Sequence, residues 1–177
     1  MIRLFVGLAF PEAIRDRLSG LAGGVPGARW TDPHNLHLTL RFIGEVDAGR
    51  VEDIDEALAA VQAPAFTLVL DGVGQFGRGK ARMLWAGVER TEALNHLQAK
   101  VESAVVRAGI PAEERKFTPH VSLARLKDAP MPRVARFLED RGLFRAGPIL
   151  IDRFVLFRSH LGHNGPHYEM LREYPLE

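Results

Sequence analysis

The chain contains no cysteine. That excludes disulfides, a thiolate nucleophile and any cysteine-based zinc site. It also lacks an apolar run near the roughly 18–20 residues that a membrane-spanning helix needs. Its opening residues, Met1 to Phe10, are apolar but brief, with no small-residue cleavage site before Pro11. They read as a buried strand rather than a signal peptide, so the expected compartment is the cytoplasm. Neither sign of charge is in excess: 23 Lys and Arg stand against 22 Asp and Glu, a net of +1. Proteins that coat long nucleic-acid duplexes draw affinity from a strongly basic face, and this balance argues against that class. It leaves room for a small anionic substrate held by a local cluster. No glycine-rich loop of the P-loop type occurs, which argues against ATP-driven chemistry.

What is present suits a folded domain. The 177 residues are 46% hydrophobic and 25% charged, enough apolar mass for a sizeable core. The pattern alternates strands and helices. Ile2–Ala9 reads as a strand, followed after Pro11 by a helix with Ile14, Leu18 and Leu21 on one face. Leu36–Ile43 is a second strand, and Asp47 is placed to cap a helix striped by Val51, Ile54, Leu58 and Val61. Phe66–Phe76 and Met83–Val88 form a hairpin around Gly77-Arg78-Gly79-Lys80. Leu94, Leu97, Val101 and Val105 mark a third helix, ended by Gly109 and Pro111. His120–Leu126 is a strand, Met131–Asp140 a helix, Ile149–Phe157 one strand and Tyr168–Tyr174 the last.

One internal echo carries chemistry. His37-Leu38-Thr39-Leu40 recurs as His120-Val121-Ser122-Leu123, 83 positions later (120 minus 37), close to half the chain. Residues i and i+2 of a strand share a face. Each copy therefore sends two apolar side chains one way and an imidazole with a hydroxyl the other. The spacing suggests two similar lobes, each supplying one strand to a shared cleft. Imidazole titrates near neutral pH, so one ring can be neutral while the other is charged. A neutral ring takes a proton from water, a charged ring gives one to a departing alkoxide, and the hydroxyls Thr39 and Ser122 can hold phosphate oxygens. A single strand histidine is more often structural than catalytic. Two copies of His-x-Thr/Ser-x, each in a strong strand, point to a catalytic pair.

With its neighbours, this twin motif resembles the two-histidine (2H) phosphoesterase superfamily, and within it the RNA 2',3'-cyclic phosphodiesterases, also called the 2'-5' RNA ligase family. The resemblance runs through Arg3-Leu4-Phe5-Val6, Arg29-Trp30, Asn35 to Gly44, Leu84 to Val88, Phe117 to Arg125, Leu156 to Ser159 and Gly165 to Glu169. It implies an α+β, bilobal fold in which two antiparallel sheets face each other across a central cleft with helices outside. The whole chain, 1–177, would then be a single domain of two pseudo-symmetric lobes. It implies metal-independent hydrolysis of an RNA terminal 2',3'-cyclic phosphate to a 2'-phosphomonoester, without a cofactor. His37 would be the proton donor and His120 the proton acceptor, although sequence alone does not fix which ring plays which part. RNA ends or cyclic nucleotides would be the substrates, and the expected state is a monomer with no obligate protein partner. Ser122 stands where many relatives have threonine, and Arg41 where lysine is common; both changes keep the chemical group.

The secondary residues each admit two readings. Arg41 shares the face of His37 by strand parity, as a phosphate clamp or as a solvated strand-end arginine. Arg125 has the wrong parity, but it lies near a strand end where a bulge can redirect it toward phosphate. Phe10, Trp30, Phe42 and Tyr168 are candidates for stacking on a base. Parity assigns Phe42 to packing, while Phe10 and Tyr168 are placed at the cleft wall. Arg78, Lys80 and Arg82 suit an RNA guide, but a solvated hairpin tip is the simpler account. His160, His163 and His167 have helical metal-ligand spacing in a stretch whose Gly162, Gly165 and Pro166 oppose a helix. Two competing functions remain: a non-catalytic module that binds RNA ends, and reversible 2'-5' joining, in which a 5' hydroxyl replaces water.

Overall fold

The computed structural model describes residues 1–177 as an α+β fold of four helices and two antiparallel sheets. The elements are β1 (Ile2–Ala9), α1 (Glu12–Ser19), β2 (Arg29–Trp30), β3 (His37–Val46), α2 (Val51–Ala59), β4 (Phe66–Phe76), β5 (Met83–Val88), α3 (Glu92–Arg107), β6 (His120–Arg125), α4 (Met131–Asp140), β7 (Arg145–Ile151), β8 (Arg153–His160) and β9 (His167–Pro175). The first sheet runs β3-β1-β8-β9 and the second β2-β6-β5-β4-β7. No helix is long and apolar enough to cross a membrane.

Alternation builds each sheet. Leu4, Val6 and Leu8 of β1 and Leu38 and Leu40 of β3 are buried in one large core with Leu84, Ala86, Val121 and Leu123 of the second sheet. Helix α3 starts where Thr91 Oγ1 accepts the Leu94 amide at 3.2 Å, a side-chain cap that satisfies an otherwise unpaired N–H. Its stripe of Leu94, Leu97, Val101 and Val105 is wholly buried, each large side chain stabilising the fold by roughly 1.5–3 kcal/mol. Helices cross between the sheets in sequence. Helix α1 follows a strand of the first sheet yet packs against β7 of the second, and α3 follows β5 of the second yet packs on β3 of the first.

Two expectations are corrected. The stretch Ile149–Phe157 is not one strand: it breaks at Asp152 into β7, paired with β4, and β8, paired with β1. A continuous apolar run fits any buried strand, and periodicity does not register a crossing from one sheet to another. Asp47 does not cap α2 through its side chain, because a turn of 3-10 helix, Ala48–Arg50, intervenes.

Candidate active site

The two motif strands share one departure from regular geometry. Along β1 and β3, Val6 pairs with Arg41 and Gly7 with Thr39, so Leu40 is an extra residue. Along β5 and β6, Leu84 pairs with Ala124 and Trp85 with Ser122, so Leu123 is the extra residue. A bulge of this kind flips the facing of everything beyond it. Before each bulge, His37, Thr39 and Ser122 line the cleft, and His120, sharing the face of Ser122 by parity, lies near enough to His37 to act on its charge. After it, the residue in phase turns inward and the residue out of phase turns to the cleft.

That flip decides the fate of three side chains. Arg125, out of phase, lines the cleft. Phe42, assigned to packing by parity, instead lines the cleft and is 40% exposed. Arg41, in phase, is not in the cleft: it is 6% exposed and turned into the protein. Its Nη1 donates to Glu102 Oε1 of α3 at 2.7 Å and its Nη2 donates to the Pro111 carbonyl. Phe10 is also corrected, since it is buried in the main core where β1 ends against helix α1 rather than standing at the cleft wall. Trp30 and Tyr168 line the cleft.

The histidines are held in the same way on the two strands. His37 Nδ1 lies 2.7 Å from the Asn35 carbonyl and His120 Nδ1 lies 2.7 Å from the Thr118 carbonyl. A carbonyl only accepts, so each Nδ1 carries the hydrogen and donates it. That leaves Nε2 as the variable position, a base when bare and an acid when protonated. His37 Nε2 is 2.8 Å from its own strand's Thr39 hydroxyl, whereas the Ser122 hydroxyl donates to Met83 Sδ at 3.3 Å. An aromatic ring meets each imidazole edge-on at 89°: Tyr168 on His37 at 5.2 Å, and Phe76 on His120 at 4.9 Å.

Their surroundings differ. His37 is half-buried beside Phe5 and Phe157, which stack on each other at 4.8 Å, with Phe5 4.8 Å from the His37 ring. Burial pushes the His37 pKa down from 6.5 to about 4; the Asn35 carbonyl opposes that shift, and the nearby His120 adds to it. Gly7 lets β3 come close enough to seat this ring, because a Cβ there would stand 2.6 Å from the Leu38 carbonyl oxygen. Burial likewise raises the Tyr168 phenol pKa, against the opposing charges of Arg125 and Arg3.

Sequence reasoning missed Asn35 as a site residue. It is 6% exposed, its Nδ2 donates to the Pro166 carbonyl at 2.7 Å, and its Oδ1 accepts the Tyr168 amide at 3.3 Å. It ties the carbonyl that orients His37 to the start of β9. Phe5 and Phe157 were also missed, although both lie on the alternate face of a strand from the core leucines, a signal the sequence carried. His160 is paired with Glu169 at 2.8 Å, and His160, His163 and His167 are not part of a three-ligand cluster.

The cleft occupies about 700 Å³ between the sheets and also includes Arg3, Arg29, Thr39 and Ser122. Two imidazoles anchored alike, the hydroxyls of Thr39 and Ser122 on the cleft wall and the guanidiniums of Arg3, Arg29 and Arg125 lining the same space suit a phosphoesterase class of site. The comparisons agree: the description "LigT like Phosphoesterase" matches residues 8–85 and 87–168, each span holding one histidine motif. The chain belongs to the LigT-like phosphoesterase family, and it is an enzyme of that type. It is 32% identical to an RNA 2',3'-cyclic phosphodiesterase of Thermotoga maritima over 99% of this chain and 96% of the relative. It is 35% identical to one of Aeropyrum pernix over 85% and 86% respectively. The crystal structure of E. coli LigT complexed with 3'-AMP superposes with a TM-score of 0.79 at 26% identity, covering 99% of this chain and 98% of that one.

Proposed function

We propose that this enzyme opens the 2',3'-cyclic phosphate at an RNA end to a 2'-phosphomonoester by general acid-base catalysis without a metal. The observation that carries the reading is the shared anchoring of the two imidazoles, with each Nδ1 on the carbonyl two residues upstream and each Nε2 left for proton transfer. His120 Nε2 takes a proton from water as the water oxygen bonds to phosphorus. The bond from phosphorus to O3' breaks, and His37 Nε2–H delivers its proton to O3'. Thr39 and Ser122 hold the non-bridging oxygens, and Arg125 neutralises their charge with Tyr168 beside it. As part of the same reading, the chain is one domain whose two lobes are related by the repeated motif. The relatives named RNA 2',3'-cyclic phosphodiesterase support the substrate.

The low pKa of His37 bears on its role. Burial keeps this ring neutral near pH 7. As donor it acquires its proton along with the phosphodiester, whose negative charge offsets the desolvation that depresses the ring. The same observation favours a second reading, in which the neutral His37 is the base and His120 the acid. A substrate with a leaving group that needs no proton separates them. On a cyclic nucleotide, His37→Ala and His120→Ala each lower kcat/KM by about 10²–10⁴-fold. On an acyclic nucleoside phosphodiester with a 4-nitrophenolate leaving group, only the donor variant recovers. Recovery of His37→Ala alone supports the first assignment, and recovery of His120→Ala alone reverses it.

A further inference from the structure

Beside the cleft, between the β4–β5 hairpin and the exit of β6, lies a second and more open depression of about 560 Å³. Its polar walls are Lys80, Arg82, Arg125 and Lys127, with Asp128 the single acidic group. Four cations against one anion leave a local charge of +3 in a chain whose net charge is only +1. Asp128 does not cancel the field evenly, because it is spent on Lys80 at 2.7 Å, a contact that ties the hairpin tip to the β6 exit. The apolar part of the wall includes Phe76 and Met83.

This depression is continuous with the cleft. Arg125 and Met83 line both spaces, and Phe76, which lines the groove, is the ring that meets His120 edge-on. A mononucleotide bound at the histidines has no use for three more cations on that side. A longer substrate has: a 2',3'-cyclic phosphate caps the 3' end of RNA, so the rest of the strand leaves the cleft from the 5' oxygen of the terminal nucleoside. A basic channel with an aromatic edge is what single-stranded nucleic acid requires.

We propose that this groove, formed by Lys80, Arg82 and Lys127, is a binding subsite for the RNA strand on the 5' side of the terminal nucleotide, and that it makes the enzyme prefer oligonucleotide ends over free cyclic mononucleotides. The proposal rests on the phosphodiesterase reading above and deepens it. The hairpin that the sequence presents as a solvated tip thereby gains a ligand.

The test compares the intact enzyme with Lys80→Ala/Arg82→Ala/Lys127→Ala on two substrates: a 2',3'-cyclic mononucleotide, and a six-residue RNA ending in the same group. All three side chains are exposed, so the variant retains the fold. Intact enzyme is expected to show a KM at least about tenfold lower for the oligonucleotide. Its log KM should rise with log salt, by about 0.7 for each phosphate neutralised. The triple variant should lose that advantage, reduce the salt slope by about 2, and process the mononucleotide as before. No oligonucleotide preference in the intact enzyme, or equal losses on both substrates, overturns the subsite. If the intact enzyme opens neither substrate, the phosphodiesterase reading fails instead. The subsite is then read from binding of an RNA ending in a 2'-phosphate: weaker binding to the variant sustains it, and unchanged binding overturns it.

Discussion

Strands β3 and β6 carry the same motif, the same carbonyl anchor for the imidazole and the same bulge after the hydroxyl, yet they end in opposite chemistry. Beyond the bulge, β3 sends an arginine inward and a phenylalanine to the cleft. Beyond its own bulge, β6 sends an alanine inward and an arginine to the cleft. Arg41 and Arg125 both follow their histidines closely in sequence, yet one braces α3 and the segment leading to β6, and the other lines the cleft. The imidazoles divide in parallel. His37 sits against Phe5 and Phe157 and is driven toward neutrality, while His120 meets only Phe76. A repeated motif thus fixes position without fixing environment.

The comparison can be broken at three points, the first with the largest expected effect. His37 has a folded pKa of about 4 against an ordinary 6.5. Between those values the unfolded chain binds the proton and the folded chain does not, so stability rises with pH through this window and is lost on acidification. The loss approaches on the order of 3 kcal/mol by about pH 4. Urea unfolding at pH 7 and pH 4 should show that much less acid sensitivity in His37→Gln than in the intact chain. Equal sensitivity would mean that the packing around β3 does not desolvate its histidine.

Arg125→Ala should raise KM by about 10- to 100-fold, the worth of a charge-assisted hydrogen bond, and leave the melting temperature unchanged. Arg41→Ala should do the reverse. It strips Glu102 of its partner and leaves the Pro111 carbonyl without its guanidinium donor, at a cost of about 2 kcal/mol. For a chain of this size, Tm should fall by about 4–8 °C while KM holds. If Arg41→Ala changes KM and not Tm, the two arginines are equivalent and the bulges do not divide them.

Much of the architecture was legible in the order of residues. Alternation revealed β1, β3 and β6, helical spacing revealed α2 and α3, and the echo of His37-x-Thr39 in His120-x-Ser122 located the candidate pair, because these patterns depend on near neighbours along the chain. Parity then failed just past the hydroxyls. A bulge is an agreement between two strands distant in sequence, and neither Leu40 nor Leu123 differs in character from a regular core residue. For that reason Arg41 and Phe42 were misplaced; Phe10, by contrast, continues the buried parity of Leu4, Val6 and Leu8, and Ile149–Phe157 read as one strand because periodicity does not register a crossing between sheets.

The sequence by itself determined which groups are available: two imidazoles, two hydroxyls and their attachment to strands with one apolar side. Tertiary structure alone decided which arginine faces the cleft, that Asn35 links the His37 anchor to β9, and that His37 is buried enough to shed its charge. Facing follows from covalent alternation only while pairing stays regular. Desolvation depends on what the rest of the chain lays against a ring, and that is set by contacts between residues far apart in sequence.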